Sequence, residues 1–400
     1  MTPSARLQAA KLLGRVIREG AFSNVLLNQL GSDQDARLVR RLVYGTLRHL
    51  PEIDHNLAEV SSRVLDEIDD AVLDLLRVGG YELLMGDGAP HAAVNEAVAA
   101  TRSVAGQGAA GFANAILRKL TRGRAPLPTG VEGEALQLGV APWILESLTG
   151  AWGSEEAREF LQASQQPAPL NARVRPGTDP GGGEAVAGIP DAYRVAEPAP
   201  GLEYMDPSSV AVGIATGVLP GMVVADLAAA PGGKTLHLFD RMQGEGTLVA
   251  LDYHERRARN ARKRLRVAGV DIPWLIADAR RPPLALAAFD RVLLDAPCTG
   301  LGTLRRRPEI RHRLRPDQPG QAGERQRQMI SAALPLLKPD GLVVYSVCTV
   351  FSEETTQVVE GFAARPPDGL PGRSEGKGWL LAPHLTRTDG MFISLIGPGR

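Results

Sequence analysis

Over the first 122 residues, apolar and polar positions alternate with the period of amphipathic helices. Apolar side chains recur three or four residues apart in three stretches: Leu7, Ala10, Leu13, Val16 and Ile17; Leu38, Leu42, Val43 and Leu47; and Val72, Leu75, Leu76 and Val78. Glycines at positions 20, 31, 79–80, 86 and 88 interrupt these stretches. A period of about 3.6 residues, broken by glycines, predicts an all-α domain over residues 1–124.

The pattern weakens between residues 125 and 200. Residues 123–134 are rich in proline and glycine, residues 141–164 have helical spacing, and residues 167–188 consist largely of turn-forming residues. We therefore expect a linker and a small α/β subdomain over residues 125–200.

From about residue 205, short apolar runs alternate with helix-length amphipathic segments. The runs are 222–227, 247–252, 273–278, 289–295, 341–346 and 391–396. Nearly continuous apolar strands separated by helices are typical of a sheet that is buried on both faces. The sequence thus predicts an α+β multidomain chain, in which residues 201–400 form a doubly wound, Rossmann-like α/β domain. Ligands of such sheets bind at the carboxyl ends of the strands.

Composition narrows the function classes. The 400 residues include 45 basic and 45 acidic residues, so a nucleic-acid-binding chain of this kind must concentrate its positive charge locally. The N-terminus lacks a cleavable apolar signal and no segment is long enough to span a bilayer, which favours a cytoplasmic protein without a membrane partner. Two cysteines cannot build a disulfide framework or a four-thiolate zinc site, so we expect no metal. We also expect the protein to be a monomer.

The loop after the first strand of the predicted sheet has the features of a cofactor site. Residues 226–235 read Asp-Leu-Ala-Ala-Ala-Pro-Gly-Gly-Lys-Thr. A phosphate-binding P-loop would need glycine where Ala228 stands, and a dinucleotide-binding loop needs three spaced glycines, so neither motif is present. S-adenosylmethionine carries no phosphate and fits better, since it needs close backbone approach and a carboxylate at the end of the second strand for its ribose.

Four aspartates in register, at the ends of four predicted strands, favour this ligand site. They are Asp226, Asp252, Asp278 and Asp295. We expect Asp252 to reach the ribose and Asp278 to reach the adenine. The predicted cofactor-binding residues are Ala228, Ala229, Ala230, Pro231, Gly232, Gly233, Lys234, Asp252, Asp278 and Asp295.

The only two cysteines, Cys298 and Cys348, each follow the end of a predicted strand. Because the carboxyl ends of parallel strands meet at one edge of a sheet, we expect both thiols in the same cleft as the cofactor loop. A cleft thiol is a candidate nucleophile rather than a core residue.

The strings LAAAPGGKT, LLDAPCTGLGTLRRRPEIR, YSVCTVFSEE and TDGMFISLI resemble the Nol1/Nop2/Sun family of RNA cytosine-5 methyltransferases. Residues 35–48, 89–98 and 111–120 resemble the helical RNA-binding domain of the antitermination factor NusB. The first resemblance implies an S-adenosylmethionine-dependent enzyme in which Cys348 attacks carbon 6 of cytosine. It also implies that Asp295 binds ring nitrogen 3 and that Cys298 assists release of the product.

The sequence departs from the family pattern at three places. Val347 stands where threonine is common, Ala228 where cysteine is common, and Arg173-Val174-Arg175 where the family has Arg-Val-Asn. Arginines that follow the first cysteine are candidates for phosphate contacts in RNA, namely Arg305, Arg306, Arg307 and Arg311.

Three interpretations remain open. The NusB-like segment favours small-subunit ribosomal RNA as the substrate, although transfer RNA is an alternative. A non-catalytic RNA-binding assembly or antitermination factor is the third, and it does not require both cysteines and the strand-end acids. DNA is a poorer candidate, because DNA cytosine methyltransferases use the Pro-Cys thiol as their nucleophile.

Overall fold

A computed structural model describes residues 4–86 and 88–398. Within these residues the chain divides into two compact units. The helical unit comprises the described residues up to Gln166 together with Leu304–Leu314, and the sheet unit comprises Pro167–Thr303 and the described residues from Arg315 onward. The chain therefore leaves the sheet unit after Thr303 and re-enters it at Arg315.

The helical unit confirms the predicted all-α N-terminus. Its helices are α1 (Ala5–Ile17), α2 (Ser23–Leu27), α3 (Gln34–Arg48), α4 (Leu50–Val60), α5 (Asp70–Met85), α6 (Pro90–Leu120), α7 (Val131–Leu138), α8 (Pro142–Trp152) and α9 (Ser154–Gln165). Helix α5 is buried along two sides: Leu75 and Val78 pack among α1 and α3, whereas Leu73 and Leu76 pack among α4 and α6. It is the central helix of the unit.

The sheet unit is a mixed α/β structure. Its strands are β1 (Asn171–Arg173), β2 (Glu184–Ala185), β3 (Ala192–Arg194), β4 (Glu203–Tyr204), β5 (Val223–Asp226), β6 (Thr247–Asp252), β7 (Trp274–Ile276), β8 (Phe289–Asp295), β9 (Leu337–Val347), β10 (Ala364–Arg365), β11 (Arg373–Glu375), β12 (Gly378–Leu381) and β13 (Met391–Ile396). The later helices of the chain are α10 (Pro207–Ala215), α11 (Gly233–Arg241), α12 (Glu255–Val267), α13 (Ile310–Arg313), α14 (Gln318–Ala333), α15 (Thr356–Val359) and α16 (Pro383–Thr386), of which α13 belongs to the helical unit.

The large sheet has the order β11-β12-β13-β9-β8-β5-β6-β7, and β10 also pairs with β13. Strands β9, β8, β5, β6 and β7 are parallel, and β13 runs antiparallel to β9. The order reverses at β5, which lies between β8 and β6. This is the doubly wound arrangement, and a crevice forms where the direction of winding changes.

Alternate residues of the central strands pack into two different cores. Val224, Leu293 and Val344 belong to the core on one face of the sheet. Ala225, Leu294 and Tyr345 belong to the core on the other face. Burial on both faces accounts for the near-continuous apolar runs, and the predicted Rossmann-like fold is confirmed.

The structure divides the segment that we predicted as one subdomain over residues 125–200. Helices α7–α9 belong to the helical unit, whereas β1–β4 form a small antiparallel sheet of order β2-β3-β1-β4 in the sheet unit. Strand β1 is held to α11 because the buried Arg173 Nη1 lies 2.8 Å from Asp240 Oδ2. Arg175, where the family pattern has asparagine, donates to both oxygens of Asp240. The predicted boundaries at residues 124 and 200 therefore differ from the observed division after Gln166.

The segment Leu304–Leu314 carries a buried cation into the helical unit. Arg311 is 1% exposed, and its guanidinium donates to Arg48 O at 3.2 Å, Leu138 O at 3.3 Å and Ser164 O at 3.3 Å. These carbonyls belong to the last turns of α3, α7 and α9, where helices lack internal donors and carry partial negative charge. Burial lowers the pKa of Arg311 to about 9, so the side chain keeps its proton at neutral pH.

Replacing this cation should destabilise the helical unit. Arg311→Met keeps most of the side-chain volume but leaves three buried carbonyls without donors, and we expect a loss of about 3 kcal/mol in the free energy of unfolding. Hydrogen exchange of α3, α7 and α9 measures the effect. Arg37→Met, which changes an exposed arginine of α3, is the matched control and should cost under about 0.5 kcal/mol. Equal stability of the two variants would contradict the prediction.

Candidate active site

The carboxyl ends of β5, β6, β8 and β9 lie next to one another at one edge of the parallel sheet. The register pairs Asp226 of β5 with Leu293 of β8 and with Ala250 of β6, and it pairs Asp295 of β8 with Ser346 of β9. Loops that leave these strand ends contain both cysteines and the predicted cofactor loop. The site therefore lies at the switch point of the fold.

The loop between β5 and α11 is joined to its neighbours by backbone hydrogen bonds. Ala229 N donates to Leu251 O at 2.9 Å, and Ala230 N donates to Asp252 Oδ2 at 3.1 Å. Gly232 has a φ of +94°, and a Cβ there would lie 2.7 Å from a methyl carbon of Leu265 on α12. The left-handed turn therefore favours glycine, and a Cβ at this position would also displace the Leu265 side chain.

The strand-end acids have different partners. Asp252 is 3% exposed, and its second oxygen accepts from His254 N at 2.9 Å. Asp278 lies two residues beyond β7 and forms an ion pair with Arg280, which lowers the pKa of that carboxyl. Asp226 accepts from Thr235 Oγ1 at 2.7 Å, and burial raises its pKa to about 7.

Asp295 forms an ion pair with Lys234 at the edge of the sheet. Lys234 Nζ donates to Asp295 Oδ2 at 2.8 Å, and Ser346 Oγ donates to Asp295 Oδ1 at 2.8 Å. Burial alone would lower the pKa of Lys234, but the negative charges of Asp295 and of the Cys348 thiolate outweigh it and raise that pKa. Each Asp295 oxygen keeps a free lone pair, and the side chain is 30% exposed, so a further donor can reach it.

The two cysteines converge, as their strand-end positions indicated. Cys298 Sγ lies 3.4 Å from Cys348 Sγ. The contact with Cys348 raises the pKa of Cys298, and burial and the carboxylates of Glu354 and Asp295 raise it further. Cys298 is therefore held as a neutral thiol and can donate its proton to the sulfur of Cys348.

Gly302 and Gly390 allow the backbone to approach closely next to the loops that contain the two cysteines. Gly302 N donates to Cys348 O at 3.0 Å, and Gly390 N donates to Gly302 O at 2.7 Å. A Cβ on Gly302 would lie 2.2 Å from Gly390 O. No side chain fits where Gly302 meets Gly390, and the hydrogen bond from Gly302 N to Cys348 O holds the loop that follows Cys298 against Cys348.

A buried acid next to the two cysteine loops was not predicted from the sequence. Glu354 is 0% exposed and accepts hydrogen bonds from Thr299 N at 2.9 Å and from Gln326 Nε2 at 3.0 Å. It also accepts from Thr299 Oγ1, which lies 3.0 Å from Thr349 Oγ1. The string YSVCTVFSEE contains two adjacent glutamates, and nothing in it indicates that Glu354 rather than Glu353 is buried.

The predicted RNA-binding arginines need correction. Arg311 is enclosed by helix ends, and Arg305 is 8% exposed, so their burial contradicts phosphate contact by these two side chains. Both face inward because the segment that carries them packs into the helical unit. Arg306 and Arg307 are half-buried, and their contact with RNA stays a prediction.

Residues 4–86 and 88–398 contain no group of three or more histidine, cysteine, aspartate or glutamate side chains arranged to hold a metal ion. Among the helices of the same residues, none is both long and apolar enough to cross a membrane.

Comparison with known proteins gives a consistent result. A family model for 16S rRNA methyltransferase RsmB/F matches residues 219–396, and a NusB family model matches residues 3–122. Ribosomal RNA small subunit methyltransferase B of Klebsiella pneumoniae is 30% identical over 427 aligned residues, which cover 96% of this chain and 98% of the relative.

Two solved structures share the fold. The crystal structure of PH0851 has a TM-score of 0.82 at 23% identity and covers 99% of both chains. The structure of NSun6 from Pyrococcus horikoshii with SFG has a TM-score of 0.56 at 20% identity, and covers 64% of this chain and 98% of that one. Since a relative at 30% identity aligns with nearly the whole sequence, the chain belongs to the RsmB/F family of ribosomal RNA methyltransferases.

Proposed function

We propose that this methyltransferase modifies carbon 5 of a cytosine in 16S ribosomal RNA in the cytoplasm, and that Cys348 forms a covalent bond to the base. The observation that carries the proposal is the pair of thiols 3.4 Å apart beside the Lys234–Asp295 ion pair. Many methyl-transfer reactions need no more than one nucleophilic side chain. A second thiol in contact with the first favours a reaction in which a covalent adduct must also be released.

The cofactor loop fits S-adenosylmethionine. Residues 228–233 carry no side chain larger than proline, so a ligand can approach their backbone closely. Asp252, at the end of β6, would accept hydrogen bonds from the ribose hydroxyls, and Asp278 follows β7. When bound, this molecule supplies a methyl group on a positively charged sulfur. NSun6, which has the same fold, was solved with an analogue of that molecule.

Covalent catalysis overcomes the low nucleophilicity of carbon 5 of cytosine. Carbon 5 of cytosine is a weak nucleophile, and addition of a thiolate at carbon 6 converts the ring into an enamine whose carbon 5 accepts a methyl group. Asp295 would hold the protonated ring nitrogen 3 and thereby withdraw charge as the thiolate of Cys348 adds. Afterwards the carbon 5 proton passes to solvent water, its electron pair restores the double bond between carbons 5 and 6, and the sulfur of Cys348 leaves carbon 6 as a thiolate.

The charges of the site support different roles for the thiols. Lys234 is electrostatically coupled to Cys348, and the attraction is mutual, so protonated Lys234 favours the thiolate of Cys348. Cys298 remains a thiol that donates to this sulfur, and the same hydrogen bond stabilises Cys348 when it departs from the base. Cys298 therefore assists release without forming the adduct.

We predict opposite behaviour for the two cysteine variants. Given S-adenosylmethionine and unmodified 16S ribosomal RNA, Cys298→Ala should accumulate a protein–RNA adduct that survives denaturation, because the departing sulfur lacks its donor. Cys348→Ala should form no adduct, and its yield of 5-methylcytosine should fall at least about 1000-fold. Denaturing gels and nucleoside mass spectrometry measure the two quantities.

The chain provides its own control. It contains only two cysteines, so each single variant has one thiol and the double variant has none. An adduct in the double variant, or methylation by Cys348→Ala, would show that the nucleophile is another group. Parallel reactions with transfer RNA test the alternative substrate, and absence of methylation on both RNAs would favour a non-catalytic assembly factor.

A second prediction concerns Lys234. Lys234→Met removes the charge that favours the thiolate, so single-turnover methylation at saturating S-adenosylmethionine should slow about tenfold at pH 7. The deficit should shrink at pH 9, where hydroxide ionises the thiol without help. Lys338→Met breaks an ion pair of the same 2.8 Å length, with Asp290, near the opposite ends of β8 and β9, and should leave the rate unchanged. A deficit that is independent of pH would contradict this role.

A further inference from the structure

Glu354 connects the two cysteine loops although it touches neither sulfur. Thr299 directly follows Cys298, and Thr349 directly follows Cys348. The side-chain oxygens of these threonines are 3.0 Å apart, and Thr299 presents both its amide and its hydroxyl to the Glu354 carboxylate. Each catalytic loop is thus anchored through the residue next to its cysteine.

The protons of this network fix the direction of its hydrogen bonds. Thr299 has one hydroxyl proton, and it goes to the Glu354 carboxylate. Thr349 therefore supplies the proton of any hydrogen bond between the two threonines, and its hydroxyl also acts on the Glu354 carboxylate. Burial raises the pKa of Glu354, whereas the hydrogen bonds from Thr299, Gln326 and Thr349 act in the opposite direction and favour the ionised carboxylate.

The far side of Glu354 is held equally firmly. Gln326 Nε2, on α14, donates to Glu354 Oε2 and to Pro297 O, each at 3.0 Å. Tyr345 Oη lies 2.9 Å from Gln326 Oε1 and 2.7 Å from Glu354 O. These contacts fix the amide orientation of Gln326 and leave Glu354 a single position.

Glu354 also contributes charge. The groups that act electrostatically on Cys298 are Cys348, Glu354 and Asp295. Tyr345 lies nearby as a neutral phenol, since burial raises its pKa well above the ordinary value, and Arg327 on α14 partly opposes that rise. Lys234, on α11, acts on Asp295 and Cys348. Negative charge therefore opposes ionisation of Cys298, whereas the positive charge of Lys234 favours ionisation of Cys348.

We propose that Glu354 is a positioning residue that sets the separation of the two sulfur atoms through Thr299 and Thr349, and that its charge directs ionisation to Cys348. This inference rests on the proposed roles of the two thiols. It adds a reason why one thiol of the pair attacks and the other donates, which the loop positions alone do not provide.

Two measurements on the 400-residue chain test the proposal without RNA or S-adenosylmethionine. The first is alkylation of each cysteine by iodoacetamide as a function of pH, resolved by peptide mass spectrometry. The second is the rate at which diamide oxidises the two thiols to a disulfide while being reduced to the hydrazine, which reports how closely the sulfur atoms are held. Circular dichroism confirms folding of each variant.

Glu354→Gln should shift the alkylation profile of Cys298 about one unit toward lower pH, because a neutral amide no longer opposes the thiolate. Thr349→Val preserves shape but removes the hydroxyl bridge, and should slow disulfide formation about tenfold with little effect on the alkylation profile of Cys298. Glu353→Gln alters the half-buried neighbour and should change neither measurement. Reintroducing a carboxylate in Glu354→Asp should restore the alkylation profile in part.

Each contrary result has a clear meaning. If Glu354→Gln lowers the melting temperature but leaves the Cys298 profile and the disulfide rate unchanged, Glu354 is only structural and the proposal is overturned. If both measurements respond as expected while Cys348→Ala still methylates RNA, the positioning role stands and the proposed nucleophile is wrong. The two failures are therefore distinguishable.

Discussion

The active site depends on the register in which β8 and β9 pair. Asp295 lies beside Ser346, which places Cys298 three residues beyond one partner and Cys348 two residues beyond the other. Ala296 N continues the ladder to Ser346 O at 2.9 Å, so the register is maintained up to the start of the loops. A slip of one residue would turn each side chain to the other face and carry the thiols apart. Burial of both sheet faces makes such a slip costly. Packing of the core thereby fixes the distance between the two thiols, which lie beyond the strand ends.

The elements that sequence predicts well are those with a long, regular pattern. Strand β6 was predicted over the residues that form it, and β9 is longer than its apolar run because Pro339 and Asp340 are tolerated at its exposed beginning. The strand-end positions of Cys298 and Cys348 sufficed to predict that they meet. Periodicity indicates which face of an element is buried, and the topology rule for parallel sheets then indicates which ends come together.

Buried charge is what sequence predicts poorly here. Arg311 lies in a run of arginines typical of a phosphate-binding surface, yet it satisfies the ends of three helices that are far apart in sequence. Glu354 looks like a solvent-exposed residue next to Glu353. In both cases the partners are backbone carbonyls, hydroxyls and amides rather than opposite charges, and a local charge pattern cannot reveal such partners. A charged residue can be buried when polar groups from several elements converge on it, and that convergence exists only in the folded chain.

The electrostatic arrangement also bears on why a pair of chemically identical thiols can act differently. Two sulfur atoms 3.4 Å apart do not both ionise readily, because the second charge would be placed against the first. Which sulfur carries the charge is then decided by the difference between their surroundings. Lys234 acts electrostatically on Cys348, and Glu354 acts on Cys298, so both differences favour the same assignment. In the proposed reaction the neutral thiol of Cys298 remains a hydrogen-bond donor to the sulfur of Cys348. The same difference in surrounding charge that favours attack by the Cys348 thiolate also favours its departure from the base.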